Sequence, residues 1–395
     1  MAEKKHCFIN RINRQGTGSH KWEQMYNWNS NVDEGVLPLS VADMELYNPP
    51  EIYKGLIKFL ENKPVLGYTG PTDEFLQAVV DWQAKRHNWN IKKDWIVNTT
   101  GVVSAFNAAI RALSNEGDGV IIFRPVYYPF GSAITANNRK EVNIPLLEDD
   151  GNYTINFKAF EEAASKANNK ILLFCSPHNP TGRVWTKNEL EKLAEIAVKN
   201  NLYVISDEIW YDFIHPEKEH TILYKVNEEL QDLLITCTAA SKTFNLAALS
   251  TSSIIISNKK TRNVFAKEVE RSHYKAGNIF GFEATKIAYN KCEKWLDELI
   301  ELIFDNQKIV NDFFKENYPQ INAPISEGTY LQWLDFRKLG MKDKELEEFL
   351  HANQFFTDEG YIFGNEGSGF ERINVALPKK ALIELLERLL KVLLA

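Results

Sequence analysis

Cysteine is scarce in this chain, with four residues in 395, at positions 7, 175, 237 and 292. They are widely spaced and form no CxxC pair, so there is no sign of a disulfide framework or of a paired-thiolate metal site. Cys175 and Cys237 lie in apolar, strand-like runs, and all four, Cys7 and Cys292 included, read as free thiols in a reducing cytosol. No run of about 18 apolar residues occurs, so no membrane span is expected. The N-terminal stretch "MAEKKHCFINRINRQ" is charged and lacks the apolar segment of a signal peptide. A basic surplus is also missing: the formal net charge is −7 and the pI about 5.8, and nothing favours nucleic acid or an anionic membrane surface as partner. Neither an internal repeat nor a low-complexity tract is present.

What is present is the composition of an ordinary globular protein, 44% hydrophobic and 25% charged. The length suggests two domains, or one large domain with a smaller one appended. The first 45 residues are polar and rich in Asn and Trp, and read as an irregular, extended arm. Apolar residues then recur at helical spacing in 50–62 (Ile52, Leu56, Phe59) and in 72–88 (Phe75, Val79, Trp82), with Thr72 as a candidate N-cap. Farther on, helices alternate with short apolar strands. Helices are expected at 102–114 and 186–201, the latter opened by the capping-box pair Thr186 and Glu189. Strands are expected at 119–125, 170–177, 202–208, 233–240 and 253–257. This alternation argues for a mostly parallel α/β sheet covered on both faces. From about 285 the texture changes to helices with few strands, as in a smaller α+β domain, with the helical stretch near 285–300 as the linker candidate.

In an open α/β sheet, ligands bind beyond the carboxyl ends of the strands. The residues just after each apolar run are therefore informative: Gly101, Val102 and Val103 opening a helix; "RPVYYPF" with Tyr127 and Tyr128; "SPHNPTGRVW" with Asn179; "SDEIW" with Asp207 and Trp210; "AASKTFN" with Ser241 and Lys242. Each has a bland reading. Gly101 is a turn residue, NPTG a turn string, Asp207 a helix cap, the tyrosine pair packing, and Lys242 a snorkelling surface lysine. Taken together they place a lysine, a carboxylate, an amide, a helix N-terminus and an aromatic face on one edge. That set fits pyridoxal 5′-phosphate (PLP). A lysine forms a Schiff base with the aldehyde, and a carboxylate pairs with the pyridine nitrogen, making the ring an electron sink. A helix N-terminus takes the phosphate and an aromatic ring stacks on the pyridine. Lysine, with an ordinary pKa of about 10.4, becomes a usable base through desolvation and imine formation.

These residues resemble a known family. "LPLSVADMEL" (37–46), "GYTGP" (67–71), "RPVYYPF", "SPHNPTGRVW", "SDEIW", "SKTFNLA", "EGTYLQWLDFR" (327–337) and "GSGFERINVALP" (367–378) are similar to the fold-type I PLP enzymes of aminotransferase class I/II, and within them to the MalY/PatB-type cystathionine β-lyases. The resemblance runs over nearly the whole chain. It implies a PLP-dependent transferase fold: a large α/β domain with a mostly parallel seven-stranded sheet (49–288), a smaller C-terminal α+β domain (289–395), and an N-terminal arm that also contributes to the small domain (1–48). It further implies that Lys242 carries the Schiff base, Asp207 pairs with the pyridine nitrogen, Asn179 bonds the cofactor's phenolic oxygen and Tyr127 stacks on its ring. Gly101, the amides of Val102 and Val103, and Ser241 would hold the phosphate beside Trp210. Arg372 would bind the substrate carboxylate, with Asn179 and Tyr128 nearby. Tyr68 would reach the phosphate of a second subunit, so the implied active unit is a homodimer with sites at the interface.

Some positions depart from the wider family. Trp210 stands where ordinary aminotransferases carry Tyr, and Ser250 where many carry a phosphate-binding Arg. Both favour the lyase branch. Ala240 and Ala248 replace a common Pro and Gly, and Ser40 stands where the branch often has Trp, at the substrate entrance. The expected reaction is α,β-elimination of a sulfur amino acid to thiol, pyruvate and ammonia, in the cytoplasm, without a metal. The rival on the same scaffold is transamination between an amino acid and a 2-keto acid, since fold alone does not fix the reaction.

Overall fold

A computed structural model describes residues 6, 8–272 and 277–395; Cys7 and the start of the N-terminal stretch lie outside the described residues. Seven short strands form the central sheet: β1 (Ile96–Thr99), β2 (Gly119–Ile122), β3 (Lys140–Asn143), β4 (Asn169–Cys175), β5 (Tyr203–Asp207), β6 (Leu234–Thr238) and β7 (Ser252–Ile255). Their order is β1–β7–β6–β5–β4–β2–β3. The pairs from β6 to β3 are all parallel, and β7 alone runs against both of its neighbours.

Side chains alternate between the two faces of a strand, and here both faces are covered. On β4, Leu172 and Phe174 pack into one buried cluster and Ile171 and Leu173 into another; on β5, Val204 and Ile205 divide in the same way. That double burial is why these strands read as continuous apolar runs. The helices appear where the spacing places them: Pro50–Glu61, Asp73–His87, Val102–Leu113 and Lys187–Lys199. The Thr72 hydroxyl accepts from the Phe75 amide, and the Thr186–Glu189 capping box is formed.

A second, antiparallel sheet combines β8 (Leu331–Asp335), β9 (Asp358–Glu359) and β10 (Phe370–Asn374), with β10 in the middle. The helices Ile279–Lys291 and Glu293–Asn317 lead to it, breaking only at Cys292. The N-terminal segment is tied to this part of the chain. Leu39 donates to Phe356 O and accepts from Asn374 N–H, and Glu45 N–H donates to Ala376 O.

The reading of the first 45 residues as irregular is corrected here. His20–Trp28 is a helix with Lys21, Trp22 and Met25 buried. Its polar sequence hides buried ion pairs: Lys21 Nζ lies 3.3 Å from Glu45 Oε1 and 3.5 Å from Asp43 Oδ1, while Trp22 Nε1 donates to Glu45. Strand β3 has no apolar signature because it is an exposed edge, and β9 is only two residues long.

Candidate active site

The floor of the site is the row of strand ends at the carboxyl edge of the central sheet. Cys175, Asp207 and Cys237 are register partners on β4, β5 and β6, so the Asp207 carboxylate stands between two buried thiols. Beyond β6 the chain turns into the single helical turn Ala240–Thr243, which lifts Lys242 over this row. Lys242 Nζ donates to Ala42 O at 2.7 Å and lies 5.6 Å from the centre of the Trp210 ring. Beyond β1, Gly101 takes φ +147°, a conformation that favours glycine, and serves as N-cap of Val102–Leu113 without a capping side chain. The first amides of that helix therefore keep their capacity to bind an anion.

These groups line one cavity of about 550 Å³. Gly101, Val102, Val103, Tyr127, Tyr128, Asn179, Asp207, Trp210, Ser241, Lys242 and Arg372 all face it. Tyr68 does not; it lies on an exposed segment away from its own chain's cavity.

The opposite wall joins Arg372 to residues that the sequence motifs did not single out. Arg372, on β10, is buried and donates through Nη1 to Asn179 Oδ1 at 2.9 Å. Its Nε donates to Asp358 Oδ2 at 3.2 Å, and its Nη2 makes a close ion pair with the same oxygen. Asp358 Oδ2 also accepts the Val41 amide at 2.9 Å. Val41 has φ +53°, an uncommon conformation for a β-branched residue, and its carbonyl is held by Asn374 Nδ2 at 2.9 Å. The next carbonyl, that of Ala42, accepts from both Lys242 and Tyr330. Asp358 has a weak sequence signal at best, an acid three residues before the "YIFG" turn. Val41 and Ala42 lie within "LPLSVADMEL", a string that gives no hint of a role for their backbone.

Burial sets the protonation chemistry. It pushes the Asp207 carboxyl up to about 7, against the opposing effects of the Ile209 amide and the Lys242 charge. It pulls the Lys242 ammonium down to about 8, with Asp43 opposing. The Tyr127 hydroxyl is raised by burial and by Tyr128, and His178 is lowered to about 4 by burial. A lysine near neutrality is poised for nucleophilic and base chemistry.

PLP fits this arrangement. The cavity offers an amine of lowered pKa, a buried carboxyl whose raised pKa a cation would reverse, a side-chain amide, a tyrosine ring and an uncapped helix N-terminus. Among the described residues that line it, there is no cluster of thiolate, imidazole and carboxylate that would hold a metal instead.

The chain is similar to known proteins over nearly its whole length. The profile of the family "Aminotransferase class I and II" matches residues 34–389. Cystathionine beta-lyase PatB of Bacillus subtilis is 34% identical, over 97% of this chain and 98% of that protein. Protein MalY of Escherichia coli is 32% identical over 94% of each. Among solved structures, cystalysin from Treponema denticola, which contains PLP, has a TM-score of 0.97 at 51% identity and 99% coverage of both chains. The PLP-bound C-S lyase from Staphylococcus hominis has a TM-score of 0.91 at 28% identity, over 100% of this chain and 99% of that one.

Proposed function

We propose that this chain, which belongs to the aminotransferase class I and II family, is a PLP-dependent carbon–sulfur β-lyase of the cystathionine β-lyase and cysteine desulfhydrase type. The observation that carries the proposal is the convergence of Lys242, Asp207 and the Asn179–Arg372 pair in one cavity. Family likeness to PatB, MalY and the C-S lyases selects elimination over transamination.

Lys242, Asp207, Asn179, Tyr127, Ser241 and the amides of Val102 and Val103 would hold PLP, whose ring supplies the electron sink that acidifies the substrate Cα–H. Arg372 orients the substrate. A guanidinium has five N–H donors; Asp358 engages two and Asn179 one, and the remaining two suit one carboxylate in a forked geometry. Lys242 Nζ would remove the Cα proton. Its lowered pKa leaves the amine neutral, and so able to accept that proton, at mildly alkaline pH. The Cβ–S bond then breaks with its electrons on sulfur, and the thiolate takes a proton, delivered by Lys242. The released aminoacrylate hydrolyses to pyruvate and ammonia. Cystathionine would give homocysteine, and cysteine would give sulfide.

The proposal includes a homodimer in the cytoplasm. Its support is a run of exposed apolar residues from Tyr53 to Tyr68, with Val65 89% and Tyr68 104% exposed, which a second copy would cover while placing Tyr68 against the other site. The three described cysteines are buried free thiols, and among the described residues no helix is long and apolar enough to cross a membrane.

The test incubates PLP-loaded protein with L-cystathionine, and separately with L-cysteine, and assays pyruvate and thiol without a keto-acid acceptor. Pyruvate in proportion to thiol supports the lyase. Conversion of the cofactor to its pyridoxamine form without pyruvate, reversed by a keto acid, would assign the chain to the aminotransferases.

A further inference from the structure

Strand β9 has two residues, and successive side chains on a strand point to opposite faces. Asp358 faces the cavity and pairs with Arg372. Glu359 faces the other way, toward the helix Asp343–Ala352. On that helix Glu347 and His351 stand four residues apart, on one face. Donor atoms of Glu347, His351 and Glu359 all lie within 4.8 Å of one another.

The imidazole carries the case beyond a group of acids. His351 is only 9% exposed, and its Nε2 is buried without a hydrogen-bond partner. A buried polar nitrogen left unpaired is costly. That nitrogen lies 3.4 Å from Glu359 Oε1. The separation exceeds an ordinary N–H···O bond of about 2.7–3.2 Å. It equals the distance of about 3.4 Å between two N or O donors bound tetrahedrally to one zinc ion at about 2.0–2.2 Å. The ring is held by Trp28, stacked on it at 4.2 Å and 20°, so the direction of Nε2 is fixed. A divalent cation would give that nitrogen its partner.

We propose that Glu347, His351 and Glu359 bind a zinc ion on the face of the small sheet turned away from the catalytic cavity, with water completing the shell. Glu347 now accepts from Lys344 and from the Tyr361 hydroxyl, both through Oε2. Its Oε1 is the oxygen left for the metal. Lys344 is largely exposed and swings into solvent when the ion enters. The site involves no residue of the proposed lyase machinery, so it stands or falls separately from that activity.

The experiment uses tag-free, PLP-loaded full-length protein, stripped with EDTA, dialysed, and titrated with ZnCl2 by calorimetry. One equivalent per chain is expected, with a rise in the thermal midpoint. Co2+ in place of Zn2+ should give the visible d–d bands of a four-coordinate site. Glu347→Gln and Glu359→Gln are near-isosteric and, checked for folding by circular dichroism, should each weaken binding by more than the roughly tenfold that loss of a mere outer-shell partner causes, and abolish the thermal shift. Absence of saturable binding to the wild type, or binding undiminished in both folded variants, would overturn the proposal.

Discussion

Asp207 and Lys242, on the floor of the cavity, stand at and just beyond the ends of neighbouring parallel strands, whereas Val41, Asp358 and Arg372, in its wall, come from the two extremities of the chain. The electrostatics differ as much as the origins. On the floor, Asp207 is buried with one backbone amide at 3.2 Å for company, and Lys242 is held by a carbonyl rather than by a carboxylate. In the wall, Arg372 is paired with Asp358, and behind it Asp43 is paired with Arg14 and Lys21. A floor with under-compensated charges is prepared for a ligand that brings its own; a wall with satisfied charges is prepared to hold a shape. Local strain at a site is supported by the surrounding structure, and here the floor holds it as desolvated charge and the wall as the backbone of Val41.

The sharpest way to break this comparison is Lys242→Ala. Loss of both the proposed anchor and the proposed base should lower pyruvate formation by roughly 10³-fold or more, with circular dichroism unchanged. Residual activity above about a tenth of wild type would move the base elsewhere and remove the distinction between floor and wall.

Next in size is the pH dependence of the cofactor-free protein. Asp207 titrates near 7 when folded, against a reference value of 3.8. Between those values the native state holds a proton that the unfolded chain has lost. The contribution of this group is therefore complete below about pH 4 and is lost as pH rises through about 7. Asp207→Asn lacks this slope. In urea titrations the variant should gain on wild type between pH 5 and 8, by an amount on the order of a few kcal/mol. Parallel curves would mean that the floor carboxylate is already compensated, like those in the wall.

The contrast also accounts for what the sequence disclosed. Strands β4 and β5, buried on both faces, announce themselves as apolar runs, and a polar group directly after such a run stands out, as Asp207 and Lys242 do. The PLP-type floor was thus legible from local order alone. The wall was not. Asp358 acts through a guanidinium fourteen positions along the chain, and Val41 and Ala42 act through backbone groups, which composition does not encode. The helix His20–Trp28 was hidden because Lys21 is buried among carboxylates far along the chain. Edge strand β3, polar and exposed, looks like a loop in any window.

Asp358→Asn probes the wall directly. It keeps the shape and an acceptor but removes the charge that fixes Arg372. A hydrogen bond to a charged group is worth about 1.5–3 kcal/mol, much of which the amide retains. KM for cystathionine should rise roughly tenfold, with kcat within about twofold, since Arg372 in its proposed role would act on the substrate in ground and transition states alike. A fall in kcat with KM unchanged would place Asp358 in the chemistry of the floor.

The smallest effect expected is that of Val41→Gly. A β-branched residue at φ +53° carries roughly 1–3 kcal/mol of strain. Glycine removes it but brings back about 0.5–1 kcal/mol of unfolded-state entropy, and the valine side chain's contacts are lost as well. The terms nearly cancel, so stability should change by about 1 kcal/mol or less, measured by urea titration. The wall's shape should suffer more than its stability. The amide bond to Asp358 would be held less firmly, and KM should rise a few-fold while kcat stays constant. A loss of several kcal/mol would show that Val41 is retained for packing. Its left-handed backbone would then be a by-product of burying the side chain, rather than the means by which the wall presents one amide to Asp358 and, in the next residue, one carbonyl to Lys242.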